Sequence, residues 1–162
     1  MRWLVQPNPN PETVQSLSKA LGVTEVVAQL LVQRGITNFD SAKQFFRPEW
    51  HHLHDPFLMK DMHVAVDRLQ QAIDKKETVM VFGDYDVDGT SAVSLLVHYL
   101  QHQKMEVISY IPDRYSEGYG LSQQGIDKAV EKGVGLLFTL DCGIKAVELI
   151  SDANQKGIDV II

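Results

Sequence analysis

Asp84, Asp86 and Asp88 alternate along the segment Gly83-Asp84-Tyr85-Asp86-Val87-Asp88-Gly89. Carboxylates this close repel one another unless protons or a cation neutralise them, and donors that are all oxygen suit hard divalent ions such as Mg²⁺ or Mn²⁺. Alternate residues of an extended chain point the same way. The three aspartates are therefore expected on one side, with Tyr85 and Val87 on the other. Gly83 and Gly89 are read as permitting tight turns at the two ends. The competing account is a solvated acidic turn that caps the next helix. A calcium-binding EF-hand loop is excluded. Counted from Asp84, its twelfth position is Leu95, where a bidentate glutamate is required, and the residues before the loop read as a strand instead of a helix.

Two further loops carry polar residues. In Ile111-Pro112-Asp113-Arg114-Tyr115-Ser116-Glu117-Gly118-Tyr119-Gly120-Leu121, the Arg114 guanidinium could grip a phosphate bidentately, and Tyr115 or Tyr119 could stack on a base. The alternative is that Arg114 pairs with Glu117 and the tyrosines pack. Asp141 closes another apolar run, and the adjacent Cys142 reads as a small core residue. His51, His52 and His54 cluster beside Trp50 without the carboxylate spacing of a metal site, so they read as surface or packing residues. No phosphate cradle of the G-x-x-x-x-G-K-[S/T] kind is present. Gly133-Val134-Gly135 lacks the third glycine of a dinucleotide fingerprint and precedes an apolar run instead of following one.

These loops sit where a recurring architecture would put them. Thr78–Phe82, Val107–Ile111, Leu136–Leu140 and Asp159–Ile162 are short apolar runs of strand formers. Helical patterns at Thr90–Gln103, Ser122–Lys132 and Ile144–Lys156 separate them, with Gly133 and Gly157 as stops for the second and third. Strand and helix alternating in this way predict an α/β fold, a parallel sheet with flanking helices and right-handed crossovers. Ligands of such sheets bind beyond the carboxyl ends of the strands. Asp84, Asp113 and Asp141 each follow one of three successive strands, so carboxylates gather on that edge. Before the sheet, Met62, Ala65, Val66, Leu69, Ala72 and Ile73 form one helical stripe that Asp61 can cap.

Residues 1–60 read as a small helical lobe and residues 61–162 as the α/β part. Pro7, Pro9 and Pro11 interrupt the beginning. Val14, Leu17 and Leu21 then recur at helical spacing up to Gly22. Val26, Val27, Leu30 and Leu31 suggest a second helix that stops near Gly35. Asp40 or Ser41 could cap a third, which carries Ala42, Phe45 and Phe46 and ends at Pro48.

The sequence has 162 residues, 44% hydrophobic and 22% charged, enough for a real core. Its net charge of −6 is unlike that of a protein that merely coats nucleic acid, although metal-site carboxylates count as negative until cations bind. One cysteine permits no internal disulfide. No apolar run approaches the roughly 20 residues that span a bilayer, and the first residues lack the apolar stretch of a signal peptide. A cytoplasmic location with no membrane association is expected.

Phe82 to Ala92 resembles the first motif of the DHH superfamily of phosphoesterases, in the form carried by its single-stranded-DNA exonuclease branch. Asp55-Pro56-Phe57-Leu58-Met59-Lys60-Asp61-Met62, with Ala65 and Val66, is similar to that branch's lead-in. Ile111 to Arg114 with Glu117 to Leu121 is similar to its second motif, and Thr139-Leu140-Asp141-Cys142-Gly143 to its third. The resemblance implies a Rossmann-like parallel domain and metal-dependent hydrolysis of single-stranded DNA from the 5′ end, in repair and recombination. It implies two Mn²⁺ or Mg²⁺ ions held by Asp86 and Asp88, Asp141 as a ligand of one or both, and Asp84 as a further ligand or a support for the others. Arg114, Tyr119 and Gly120 would bind substrate, and a single-strand-binding protein is a partner at family level. Related substrates in the superfamily are short oligonucleotides and cyclic dinucleotides. A non-catalytic binding module on the same fold is a third account. The family's Asp-His-His follows the fourth strand, whereas this sequence ends at Ile162. The expectation is that the chain is the first part of a longer enzyme and is inactive alone.

Overall fold

The computed structural model describes every residue except Met1 and Trp3. The chain divides into two compact units, Met1–Leu58 and Met59–Ile162.

The first unit holds α1 (Pro11–Leu21), α2 (Glu25–Gln33) and α3 (Phe39–Phe46), then short 3-10 turns at Trp50–His52 and Pro56–Leu58. Its core is Val14, Leu17, Ala28, Leu31 and Ala42. Pro11 does not interrupt the chain. It is the first residue of α1, where its missing N–H costs nothing, and Asn10 caps the helix by accepting from the Glu12 N–H at 2.8 Å. Gly22 closes it in the left-handed conformation. The expected cap of α3 was Asp40 or Ser41. The observed cap is Asn38, whose side chain accepts from the Ser41 N–H at 2.8 Å, with Asp40 and Ser41 already inside the helix. Asparagine is among the strongest N-caps.

The second unit begins with α4 (Met62–Lys75). Asp61 stands at its N-cap position in a left-handed conformation (φ 60°), and its side chain makes no capping bond. The rest alternates β1 (Val79–Gly83), α5 (Val87–His102), β2 (Val107–Tyr110), α6 (Gln123–Glu131), β3 (Leu136–Leu140), α7 (Val147–Gln155) and β4 (Asp159–Ile161). α5 starts three residues before the expected Thr90, and α7 three after Ile144.

All pairings are parallel and the strand order is β2-β1-β3-β4. The chain steps from β1 outward to β2, then returns across β1 to β3. With crossovers of one hand, a reversal of direction requires a change of face. The two cores agree. Val79, Val81, Leu136 and Phe138 pack with Ala72 of α4 and Val93 and Leu100 of α5 on one face. Met80, Phe82 and Leu137 pack with Ile126 and Ala129 of α6 and Ala153 of α7 on the other. β1 is buried along its whole length, which is why its sequence is a continuous apolar run instead of an alternation.

At the amino ends of the strands, Arg68 of α4 ties three of them together. Its Nε donates to Asp159 Oδ2 at 2.6 Å, and its Nη2 donates to Glu77 Oε2 at 2.6 Å and to the Gly135 carbonyl at 3.2 Å. Burial opposes the charge of this guanidinium, but the two carboxylates outweigh it and raise its pKa. At the carboxyl ends, α5 comes unusually close to β1. A Cβ on Gly89 would lie 2.7 Å from the Asp84 nitrogen and 2.8 Å from its carbonyl carbon, and one on Gly83 would meet Val93 and, at 2.9 Å, the Gly89 carbonyl. Neither glycine has positive φ. Their role is therefore close approach of helix to strand, not the tight turns expected from sequence.

Gly89→Ala should cost about 1–3 kcal/mol, because its contact is backbone that cannot swing aside. Ser91→Ala, on an exposed turn of the same helix, should stay within about 0.5 kcal/mol. Urea melts of the two variants test this.

Candidate functional site

β1 and β3 are hydrogen-bonded neighbours, and Gly83 pairs with Leu140. Asp84 and Asp141 are the next residue in each chain, so they leave the sheet side by side. This is where the strand order reverses direction, the usual ligand crevice of an open parallel sheet.

Asp84 is fully buried, at 0% exposure. Its Oδ1 accepts from the Tyr85 N–H at 2.8 Å, and its Oδ2 is buried without a well-formed hydrogen bond. Asp86 is exposed and caps α5, Oδ1 accepting from the N–H groups of Asp88 (3.1 Å) and Gly89 (3.0 Å). Asp88 lies in the first turn of that helix. The extended, alternating arrangement of the three aspartates is therefore not adopted. Residue 84 follows a strand, 86 is a cap and 88 is helical, while Val87, the first residue of that helix, is 77% exposed. The capping role of Asp86 matches the competing account. The burial of Asp84 does not, because a solvated turn would leave that carboxylate in water.

Asp141 adopts a left-handed conformation (φ 57°), which aspartate tolerates better than most residues. Tyr119 lies close to Asp84. Its hydroxyl pKa is raised, chiefly by its approach to Asp84, which falls short of a well-formed hydrogen bond, and further by Asp86 and Asp141. Burial, then Asp84 and Asp141, push the Cys142 thiol up to about 11, so it is protonated at neutral pH and not a nucleophile. Asp84 and Asp141 thus lie where β1 and β3 end, with Asp86 two residues beyond Asp84 at the start of α5. Among the described residues no three His, Cys, Asp or Glu side chains form a ready-made metal cage. A hard cation nevertheless fits here: the donors are carboxylates, and the buried Asp84 Oδ2 lacks the partner that a charge in this position needs.

The loop after β2 lies beside these strand ends. Arg114 does not pair with Glu117. Its guanidinium lies 5.4 Å from the centre of the Tyr85 ring, whose edge-on partner is Tyr119 at 5.9 Å. Tyr119 is exposed between Gly118 and Gly120, both at positive φ (86° and 83°). Gly120 runs beside Cys142, 3.9 Å from where its own Cβ would be. Tyr115 is 96% exposed. Asp113, counted above among the strand-end carboxylates, serves its own loop. Its Oδ1 accepts from Tyr115 N, Ser116 N and Ser116 Oγ at 2.9–3.0 Å, bonds that lower its pKa. The histidines lie in the other unit. The His52 Nδ1 accepts from the Glu49 N–H at 2.9 Å, and His51 sits edge-on to it. Among the described residues no helix is long and apolar enough to cross a membrane.

Sequence reasoning missed three residues here. Tyr85 was assigned to the opposite side. Glu117 was placed in the second motif and otherwise read as a partner for Arg114, with no role of its own. Thr139, whose buried Oγ1 lacks a hydrogen bond, was placed in the third motif with no role of its own. The β3 sequence Leu-Leu-Phe-Thr-Leu carried a signal for the last, since a hydroxyl in an otherwise apolar strand must find a partner or go without.

Residues 78–162, more than half of the chain, match the family described as DHH family, N-terminal domain. The chain belongs to the DHH family. It is 43% identical over all 162 residues to the single-stranded-DNA-specific exonuclease RecJ of Bacillus subtilis (strain 168), covering 20% of that protein. Over 138 residues it is 30% identical to the RecJ of Dickeya dadantii (strain 3937), covering 85% of this chain and 23% of that one. A crystal structure of exonuclease RecJ bound to manganese superposes with a TM-score of 0.58 at 30% identity, over 63% of this chain and 26% of the other. This DHH chain therefore spans about a fifth of the length of the curated relatives it matches.

Asp86→Asn keeps the capping oxygen and Asp86→Ala removes it, while both remove the charge. In EDTA, the alanine variant of this DHH chain should be less stable than the asparagine variant by about 1 kcal/mol, measured by urea denaturation.

Proposed function

We propose that the protein carrying this chain is a metal-dependent exonuclease that hydrolyses phosphodiester bonds of single-stranded DNA from the 5′ end. The observation that supports this most is the buried Asp84 carboxylate with its unpartnered Oδ2, beside Asp86 and Asp141 at the sheet's switch point. In this reading Asp84, Asp86, Asp88 and Asp141 hold two divalent cations, Mn²⁺ or Mg²⁺, and residues 61–162 form the metal-binding part, with residues 1–60 as a separate helical lobe. Cations there would supply Lewis-acid polarisation of the phosphoryl group and a stronger water nucleophile at neutral pH.

The chain's own residues do the rest. Arg114, steadied on the Tyr85 ring, offers a planar guanidinium to a substrate phosphate. Tyr119 and the backbone at Gly120 border the same opening and contact the nucleotide. The Tyr119 hydroxyl, like any tyrosine titrating at about 10, is protonated at neutral pH and acts as a hydrogen-bond donor. Single-stranded DNA is the substrate, a single-strand-binding protein is a partner, and the cytoplasm is the site of action.

The test is release of mononucleotides from single-stranded DNA by the full-length protein. Cleavage should require Mn²⁺ or Mg²⁺, stop in EDTA, and fall by more than about a hundredfold in Asp86→Ala and Asp141→Ala. Cleavage that survives EDTA or Asp86→Ala would overturn the assignment. A preference for short oligonucleotides or cyclic dinucleotides over longer single strands would move the substrate to the wider superfamily.

A further inference from the structure

Arg114 and Tyr119 can act on a substrate only if the loop that carries them keeps its shape, and one side chain ties that loop to the strand before it and the helix after it. The Glu117 Oε2 accepts from the Tyr110 hydroxyl at 2.9 Å and from Ser122 Oγ at 2.5 Å. Its Oε1 accepts from the Asp113 N–H at 2.8 Å. These partners are the last residue of β2, the start of the loop, and the N-cap of α6, whose hydroxyl also accepts from the Gly125 N–H at 3.0 Å. Burial acts to raise the Glu117 pKa, and the three hydrogen bonds outweigh it and hold it below the usual carboxylate value.

The clamp is anchored in the core. Tyr110 stacks on Phe82, ring centres 5.2 Å apart. Phe82 in turn is so close to α6 that a Cβ on Gly125 would come within 2.6 Å of its ring. Phe82 precedes Asp84 by two residues, so the surface that supports the loop is the strand that positions the buried carboxylate. From Glu117 the loop runs through Gly118, at φ 86°, to Tyr119. In the other direction it runs to Arg114 through a turn closed by the Glu117 N–H donating to the Asp113 carbonyl at 2.9 Å.

We propose that Glu117 is a positioning residue for substrate. Its carboxylate fixes the loop so that Arg114 rests over Tyr85 and Tyr119 faces Asp84, and it touches neither cation nor nucleotide. This rests on the nuclease reading for its kinetic consequence but not for its structural one. In the full-length protein, Tyr110→Phe and Glu117→Gln should each raise the KM for single-stranded DNA, by roughly three- to tenfold per weakened contact, with kcat within twofold of wild type. Glu117→Gln added to Arg114→Ala should raise KM by less than the product of the two single effects, because part of the Glu117 effect runs through the same guanidinium and the rest through Tyr119.

A fall in melting temperature with unchanged KM, or additive effects of Glu117→Gln and Arg114→Ala, would overturn the proposal. An independent readout uses the 162-residue chain without DNA. The Arg114 Nε–H signal in ¹⁵N NMR should report an ordered guanidinium in the wild type and a mobile one in Glu117→Gln. Equal order in both would sink the positioning role whether or not the protein proves to be a nuclease. Absence of metal-dependent cleavage with loss of order in Glu117→Gln would sink the nuclease reading alone.

Discussion

Burying a carboxylate at the end of a parallel strand is the constraint around which the second unit is organised. Asp84 is out of water, and only one of its oxygens has a well-formed hydrogen bond. Such a group costs several kcal/mol unless a charge or donors meet it. The sequence around it keeps it there. Gly83 and Gly89 let α5 press onto the strand end, Asp86 starts that helix at the right residue, and β1 is too well buried on both faces to shift.

The topology then brings the other groups within reach. Because β1 lies between β2 and β3, loops leaving either neighbour can arch over Asp84. The β3 loop brings Asp141 and Cys142, and the β2 loop brings Arg114 and Tyr119. The two meet where Gly120 passes Cys142. The site thus sets a guanidinium and two aromatic rings beside the strand-end carboxylates.

Much of this was legible in the sequence because strands and helices announce themselves by periodicity. The four strand runs fall within a residue of the observed strands, and the reading that ligands bind beyond their carboxyl ends directs attention to Asp84 and Asp141 at once. What periodicity cannot convey is where a helix begins when its cap is itself a candidate site residue. Alternation of Asp84, Asp86 and Asp88 looks like extended chain, yet the helical turn starting at Val87 divides them into three environments. Asp113 misled for a related reason. It too follows a strand, though three residues past the end of β2 instead of directly, and a serine three residues on and the N–H groups of a turn gave its carboxylate local partners that sequence spacing does not distinguish from a cation. The pairing of Arg114 was equally hidden, since its aromatic partner comes from a strand end 29 residues earlier.

The local roles of Asp86 and Gly89 also constrain the spacing of the motif. Asp86 spends one oxygen on the amide groups of Asp88 and Gly89, and a carboxylate there is favoured by the helix dipole as well. That interaction offsets part of the repulsion from Asp84 and Asp141, so the cluster can persist in the folded chain without every charge being matched by a cation. Moving Asp86 by one residue would uncap α5, and moving Gly89 would push the helix off the strand end and open Asp84 to water. The same few residues therefore build the helix start and gather the negative charge, and the buried Asp84 oxygen is the part of that charge that neither helix nor solvent satisfies.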